Sequence, residues 1–203
     1  MNRWEPSSPE LDALQEISNI GMGNAASSLA QLINRRVDMR VPRAYFLSFE
    51  EVVGLVGGYE ELVACVSLRL FGDVPGVVLY LFEEQSTYRL VDLLLGLPPG
   101  ATAGLDEMAE SAIKEIGNVL TGSFVSAISQ MTGLRMITAV PLFAFDMLGA
   151  VLSSLLVAAG RVEEEVLVIE TELFPHQDGS VKGHFFLLTE PGALARLMTA
   201  LGF

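Results

Sequence analysis

The sequence predicts an α+β fold: an internally duplicated, pseudo-two-fold single domain, with two long helices side by side on one face of a six-stranded, mainly antiparallel sheet. Three observations predict it. Residues 12–42 match residues 111–141 at a constant offset of 99. Each half combines one long run of helical periodicity with short apolar runs bounded by turn residues. Finally, 51% of the 203 residues are hydrophobic and only 18% charged, which is enough to fill one shared core and too apolar for a disordered chain.

The repeat is explicit in the residues. Asp12-Ala-Leu-Gln-Glu16-Ile-Ser-Asn19 aligns with Ser111-Ala-Ile-Lys-Glu115-Ile-Gly-Asn118, and each copy then runs 22 residues to a proline, Pro42 or Pro141. Ten positions are identical across the matched stretch, where chance supplies about two or three for this composition. The match resumes at an offset of 107, with Gly76–Glu83 parallel to Gly183–Glu190. The repeats therefore span about residues 1–100 and 101–203, joined at Leu97-Pro98-Pro99-Gly100. A three-stranded half needs another layer to cover its apolar face, so both halves are expected to share one sheet.

Each half reads as long helix, strand, helix, strand, strand, helix. In the first helix Leu14, Ile17, Gly21, Ala25, Leu29 and Leu32 fall on one side at about 100° per residue. Asp12, Glu16, Asn19 and Gly23 fall on the other. The strands follow at Val37–Val41, Leu62–Phe71 and Val74–Phe82, with a short helical stretch at Phe49–Val56 and turn chemistry at Gly72-Asp73. In the second half Ile113, Ile116, Leu120, Phe124, Ile128 and Met131 make the buried stripe, and Ser111, Glu115, Asn118 and Gly122 the exposed one. Its strands are Leu134–Val140, Val166–Phe174 and Gly183–Leu188, with a turn at Gln177-Asp178-Gly179. An amphipathic helix from Ala193 to Leu201 packs at the end.

The second half's middle segment, Leu142 to Ala159, carries a single charge in 18 residues. A membrane span is the competing reading, but Asp146, Gly149, Ser153 and Ser154 interrupt it and no Lys/Arg cluster flanks it. It reads as a buried or partner-facing helix, on which Asp146, Gly149, Ala150 and Ser153 form a small, polar stripe.

Composition limits the partners. Twelve Lys+Arg against 25 Asp+Glu give a net charge of −13 with no basic tract. Nucleic acid and anionic lipid both need a positive footprint, so neither is expected. The lone Cys65 sits in an apolar run and is read as core. The N-terminal residues hold no apolar signal core, so the expected address is the cytoplasm. His176 and His184 have no ligand-type neighbour at metal spacing. Gly21-Met-Gly23-Asn-Ala-Ala26 fits a loose dinucleotide pattern but lies inside a helix with no strand before it. The run Glu163–Glu165 is read as a solvated loop.

The recurring Glu/Asn pairs carry the functional signal. Glu and Asn three residues apart are neighbours on a helix surface, and the glycine one turn on leaves room for another molecule. A solvated helix face is the bland alternative. Against it, asparagine is a mediocre helix former with no fold-level reason to stand twice at mid-helix. A carboxamide donates and accepts hydrogen bonds and can hold a water in line, which suits phosphoryl transfer. A carboxylate beside it can anchor a cationic group.

The pattern Asp/Ser-x3-Glu-x2-Asn-x22-Pro, present twice, together with Asn19-Ile-Gly-Met-Gly-Asn-Ala25, resembles the CheC, CheX and FliY phosphatases of bacterial chemotaxis, and CheC-type proteins above all. The resemblance covers essentially the whole chain. It implies a protein phosphatase that hydrolyses the aspartyl phosphate of the response regulator CheY. Glu16 and Glu115 would each bind the CheY active-site lysine, and Asn19 and Asn118 would each orient the attacking water. Magnesium would be supplied by CheY, leaving this chain without a cofactor of its own. Asp12 and Ser111 would support the helix or the docking face, and Pro42 and Pro141 the strand entry. The resemblance also implies a partnership with CheD through the second half's middle helix, where Asp146 stands at a contact position, and a monomer or a heterodimer with CheD. The alternative is a non-catalytic module that binds CheY or CheD.

Overall fold

The computed structural model describes residues 8–40, 43–159, 165–175 and 181–203. The first half runs α1 (Ser8–Ile33), β1 (Val37–Arg40), β2 (Ala44–Ser48), α2 (Phe49–Val56), β3 (Leu62–Gly72), β4 (Gly76–Glu83) and α3 (Glu84–Leu95). The second repeats that order as α4 (Glu107–Thr132), β5 (Met136–Thr138), β6 (Leu142–Met147), α5 (Leu148–Ala159), β7 (Glu165–Pro175), β8 (Val181–Thr189) and α6 (Ala193–Ala200).

One antiparallel sheet runs β1-β7-β8-β4-β3-β5, with β2 also paired to β7 and β6 also paired to β3. The order is a palindrome about the β4–β8 pair, where Gly76 faces Thr189 and Leu81 faces His184. The first half's β1 and β2 sit on the second half's β7, and β5 and β6 sit on β3. Each half thus completes the other's edge, and neither holds its own sheet.

Strand alternation divides the core in two. Ala64, Val66, Leu68 and Leu70 of β3, Val78, Tyr80 and Phe82 of β4, and Phe185 and Leu187 of β8 face α1, α3, α4 and α6. Val63, Cys65, Leu79, Leu81, Phe186 and Leu188 face the shorter α2 and α5. The expected α+β class and antiparallel sheet are observed, and α1 and α4 pack side by side on one face.

Among the described residues the sheet has eight strands rather than six. β2 is missed from the sequence because all five of its residues are half-buried, leaving no alternation to read. β6 is missed because its apolar residues run without a break into α5. The stretch read as one helix from Leu142 to Ala159 is therefore a strand, Leu142–Met147, followed by a helix of 12 residues. No helix among the described residues is long and apolar enough to cross a membrane.

Local chemistry sets the ends of the long helices. The Asp106 carboxylate accepts the Ala109 N–H at 2.8 Å as the α4 N-cap, and Gly133 closes that helix at φ 72°. Asn34 follows α1 at φ 50°, a conformation asparagine tolerates. Leu32 and Met131, expected to be buried, are 51% and 48% exposed. The inward position one turn past Leu29 belongs instead to Ile33, which packs against the core.

The joint between halves has its own latch. The buried Asp92 carboxylate accepts the Gly100 N–H at 2.7 Å, the Thr102 N–H at 2.9 Å and the Thr102 hydroxyl at 2.6 Å. It fixes the Pro98–Thr102 turn that carries the chain from α3 to α4.

Candidate functional site

α1 and α4 bury their apolar stripes against the sheet and turn the opposite faces outward. Leu14, Ile17, Ala25 and Leu29 of α1 and Ile113, Ile116, Leu120, Phe124 and Ile128 of α4 are each at most 2% exposed. This burial fixes the rotation of both helices. Glu16, Asn19 and Gly23 are consequently exposed on α1, and Glu115, Asn118 and Gly122 on α4. Asp12 and Ser111 are exposed one turn before each glutamate.

The helices pack against each other at Gly21. A Cβ there would lie 3.0 Å from the Phe124 Cα and 3.5 Å from the Ala127 Cβ, so only glycine permits this approach without a shift. Gly117 has a comparable reason on the sheet side, since a Cβ would lie 2.7 Å from the Val66 Cβ. Gly23 and Gly122 differ. A Cβ at either meets nothing within 4 Å. Glycine inside an exposed helix costs about 0.5–1 kcal/mol relative to alanine, and packing among the described residues does not account for it at these two positions. The open surface above them adjoins both Asn side chains.

Each motif has an apolar neighbour that a partner could cover. Ile20, beside Asn19, is 40% exposed. Val119, beside Asn118, is half-buried. Met108, two turns before Glu115, is 65% exposed. These rim residues carry no mark in the sequence, because exposure of an isolated apolar side chain has no periodicity signal.

The remaining candidates fall elsewhere. Asp146 is exposed at the end of β6, opposite Val63, and its carboxylate accepts the Met147 N–H at 2.7 Å. It precedes α5 instead of lying on it, as expected above, because the helix begins at Leu148. Of the stripe read with it, Ala150 and Ser153 are exposed, while Gly149 packs on Tyr59. Pro141 directly precedes β6 and Pro42 lies outside the described residues, as do His176, Glu163 and Glu164. Cys65 is buried, which pushes its thiol up to about 12. His184 sits on β8, and burial lowers its pKa despite the nearby Glu170 and Glu83 carboxylates. Among the described residues no three His, Cys, Asp or Glu side chains are grouped to hold a metal ion.

Comparison with known proteins places the chain in a family. The CheC-like family model matches twice, at residues 10–45 and 108–143, and each match contains one Glu/Asn pair. The CheY-P phosphatase CheC of Bacillus subtilis is 38% identical over 197 residues, covering 95% of this chain and 94% of that protein. Among solved structures, Thermotoga maritima FliY superposes with a TM-score of 0.81 at 20% identity, covering 97% of this chain and 98% of that one. The CheX of a Borrelia burgdorferi CheX-CheY-BeF3-Mg+2 complex superposes with a TM-score of 0.52 at 14% identity, covering 84% and 95%.

Proposed function

Because the chain belongs to the CheC-like family, we propose that it is a phosphatase that removes the phosphoryl group from the aspartate of phosphorylated CheY in the cytoplasm, through two sites. The observation that carries this reading is the pair of exposed Glu/Asn motifs on adjacent helices, each within a segment the family model matches. The name of the Bacillus relative supports the substrate, and CheX, a fold neighbour, has been solved with CheY. The same twofold match supports one domain built from two repeats, about residues 1–100 and 101–203.

In this reading Glu16 or Glu115 holds the ammonium of the CheY lysine, which brings the aspartyl phosphate over the neighbouring carboxamide. Asn19 or Asn118 accepts a hydrogen bond from a water and presents its oxygen in line with the scissile bond. The water oxygen bonds to phosphorus, the phosphorus–carboxylate bond breaks, and the aspartate leaves as a carboxylate. Both protons of the water end on the inorganic phosphate. Magnesium stays with CheY, and this chain supplies no cofactor. Its contribution is positioning, for which a rigid helix pair on a sheet is suited.

The test is the decay of phosphorylated CheY with and without the protein. Faster decay in proportion to its concentration is expected. Unchanged decay with binding demonstrated would reduce the chain to a non-catalytic CheY-binding module.

For regulation we assign CheD to the surface around α5 and the Asp146 junction, with the protein a monomer or a heterodimer with CheD. α5 carries no charged residue in its 12 positions, whereas α2, in the same place in the first half, opens with Glu50 and Glu51. Ala150, Ser153, Ser154 and Val157 of α5 are exposed, so an uncharged face is available there. Asp146→Arg is expected to weaken CheD binding by about 2–5 kcal/mol, the usual loss for a charge partner desolvated in an interface. CheY dephosphorylation should change little. Calorimetry showing undiminished CheD affinity would remove Asp146 from that surface.

A further inference from the structure

We infer that the two Glu/Asn motifs share one docking surface, so that the protein accepts a single CheY molecule at a time although it carries two sites. The inference rests on the assignment of both motifs to CheY.

Corresponding elements of the two halves run in opposite directions, because the sheet is palindromic about an antiparallel β4–β8 pair. α1 and α4 are therefore antiparallel neighbours. Contact of Gly21 with the Phe124 backbone sets their register. It puts Asn19 level with Ser126 and Asn118 level with Ser27, about 12 Å apart along the helices at about 1.5 Å per residue. The centres of the two Glu/Asn pairs are then about 16 Å apart along the axes and about 8–10 Å across, or about 20 Å in all.

Among the described residues nothing divides them. Between the motifs lie Gly23 and Gly122, with open space above both, and the exposed Asn24, Ser27 and Ser126. A specific protein contact covers about 800 Å² on each partner, a patch roughly 30 Å across. A folded partner of even about 100 residues has a radius of gyration near 13 Å, hence a diameter above about 30 Å. Two such footprints centred about 20 Å apart overlap, and the bodies above them collide. A molecule seated on Asn118 covers Ser27 of the other helix, and one seated on Asn19 covers Ser126. The second motif thus doubles the ways of docking without doubling occupancy.

The experiment is titration calorimetry of the full chain with beryllofluoride-activated CheY in magnesium, on the wild type and on the single variants Glu16→Lys and Glu115→Lys. One CheY per chain is expected for all three proteins, with the affinity of each variant lowered by about twofold as one of two docking modes is lost. Two CheY molecules bound to the wild type would overturn shared occupancy and leave the functional assignment standing. Binding abolished by one substitution and untouched by the other would also overturn it, by showing a single working footprint. Absence of binding to the wild type would overturn the assignment of the motifs to CheY, and this inference with it.

Discussion

Reversing both anchors, Glu16→Lys with Glu115→Lys, should weaken binding of activated CheY by about 100-fold or more. On the proposed mechanism each substitution removes an attraction to the partner's lysine and sets a like charge against it, and juxtaposed like charges cost several kcal/mol at an interface. At about 1.4 kcal/mol per tenfold, about 3 kcal/mol suffices for that loss. Both glutamates are exposed on helices whose opposite faces are fully packed. The fold should be unaffected, with stability changed by no more than about 0.5 kcal/mol. Calorimetry and a urea melt on the same protein separate the two effects. Wild-type affinity in a folded double variant would remove the lysine anchor from the mechanism.

Gly76→Val should damage the fold more than any change on the helix surface. Gly76 faces Thr189 in the β4–β8 pair, the seam that joins the two halves. A Cβ there would collide with the Leu188 carbonyl oxygen and lie 3.0 Å from the Thr189 Cα. These are backbone atoms of a central strand and cannot swing aside, so β8 must shift or the pairing must break. A loss of about 4 kcal/mol or more is expected, against a total of about 5–15 kcal/mol for an ordinary domain. The matched control is Gly23→Ala, where the added methyl meets nothing and should stabilise α1 by about 0.5–1 kcal/mol. Equal urea midpoints for the valine variant and the wild type would contradict the register at the seam.

How much of this was legible in the sequence depended on how regular the burial is. α1 and α4 each bury one continuous stripe, so a period of 3.6 identified both helices and put Glu16, Asn19, Glu115 and Asn118 on the outer faces the structure gives them. Cross-strand faces of β3, β4 and β8 alternate or run apolar between glycines, which marks these strands nearly to their ends. β2 and β6 lack such a mark. Ala44–Ser48 has no buried face to announce it, and Leu142–Met147 shares its apolar character with α5. The error at β6 moved Asp146 from a helix face to a strand end. The contact of Gly21 with Phe124 was beyond the sequence altogether, since no pattern in one helix states which residue of another it will meet. That contact sets the spacing of the two motifs.

In the proposed mechanism Asn19 and Asn118 place water for attack on the aspartyl phosphate of CheY. The direct measurement is the dephosphorylation rate of phosphorylated CheY under saturating protein, with the wild type and with Asn19→Ala/Asn118→Ala. Removing a positioned group of this kind costs about 100-fold or more in rate. The double variant should therefore return decay nearly to its unaided rate while still binding activated CheY, because Glu16 and Glu115 remain. Wild-type turnover by the double variant would contradict the water-positioning role and with it the central functional claim.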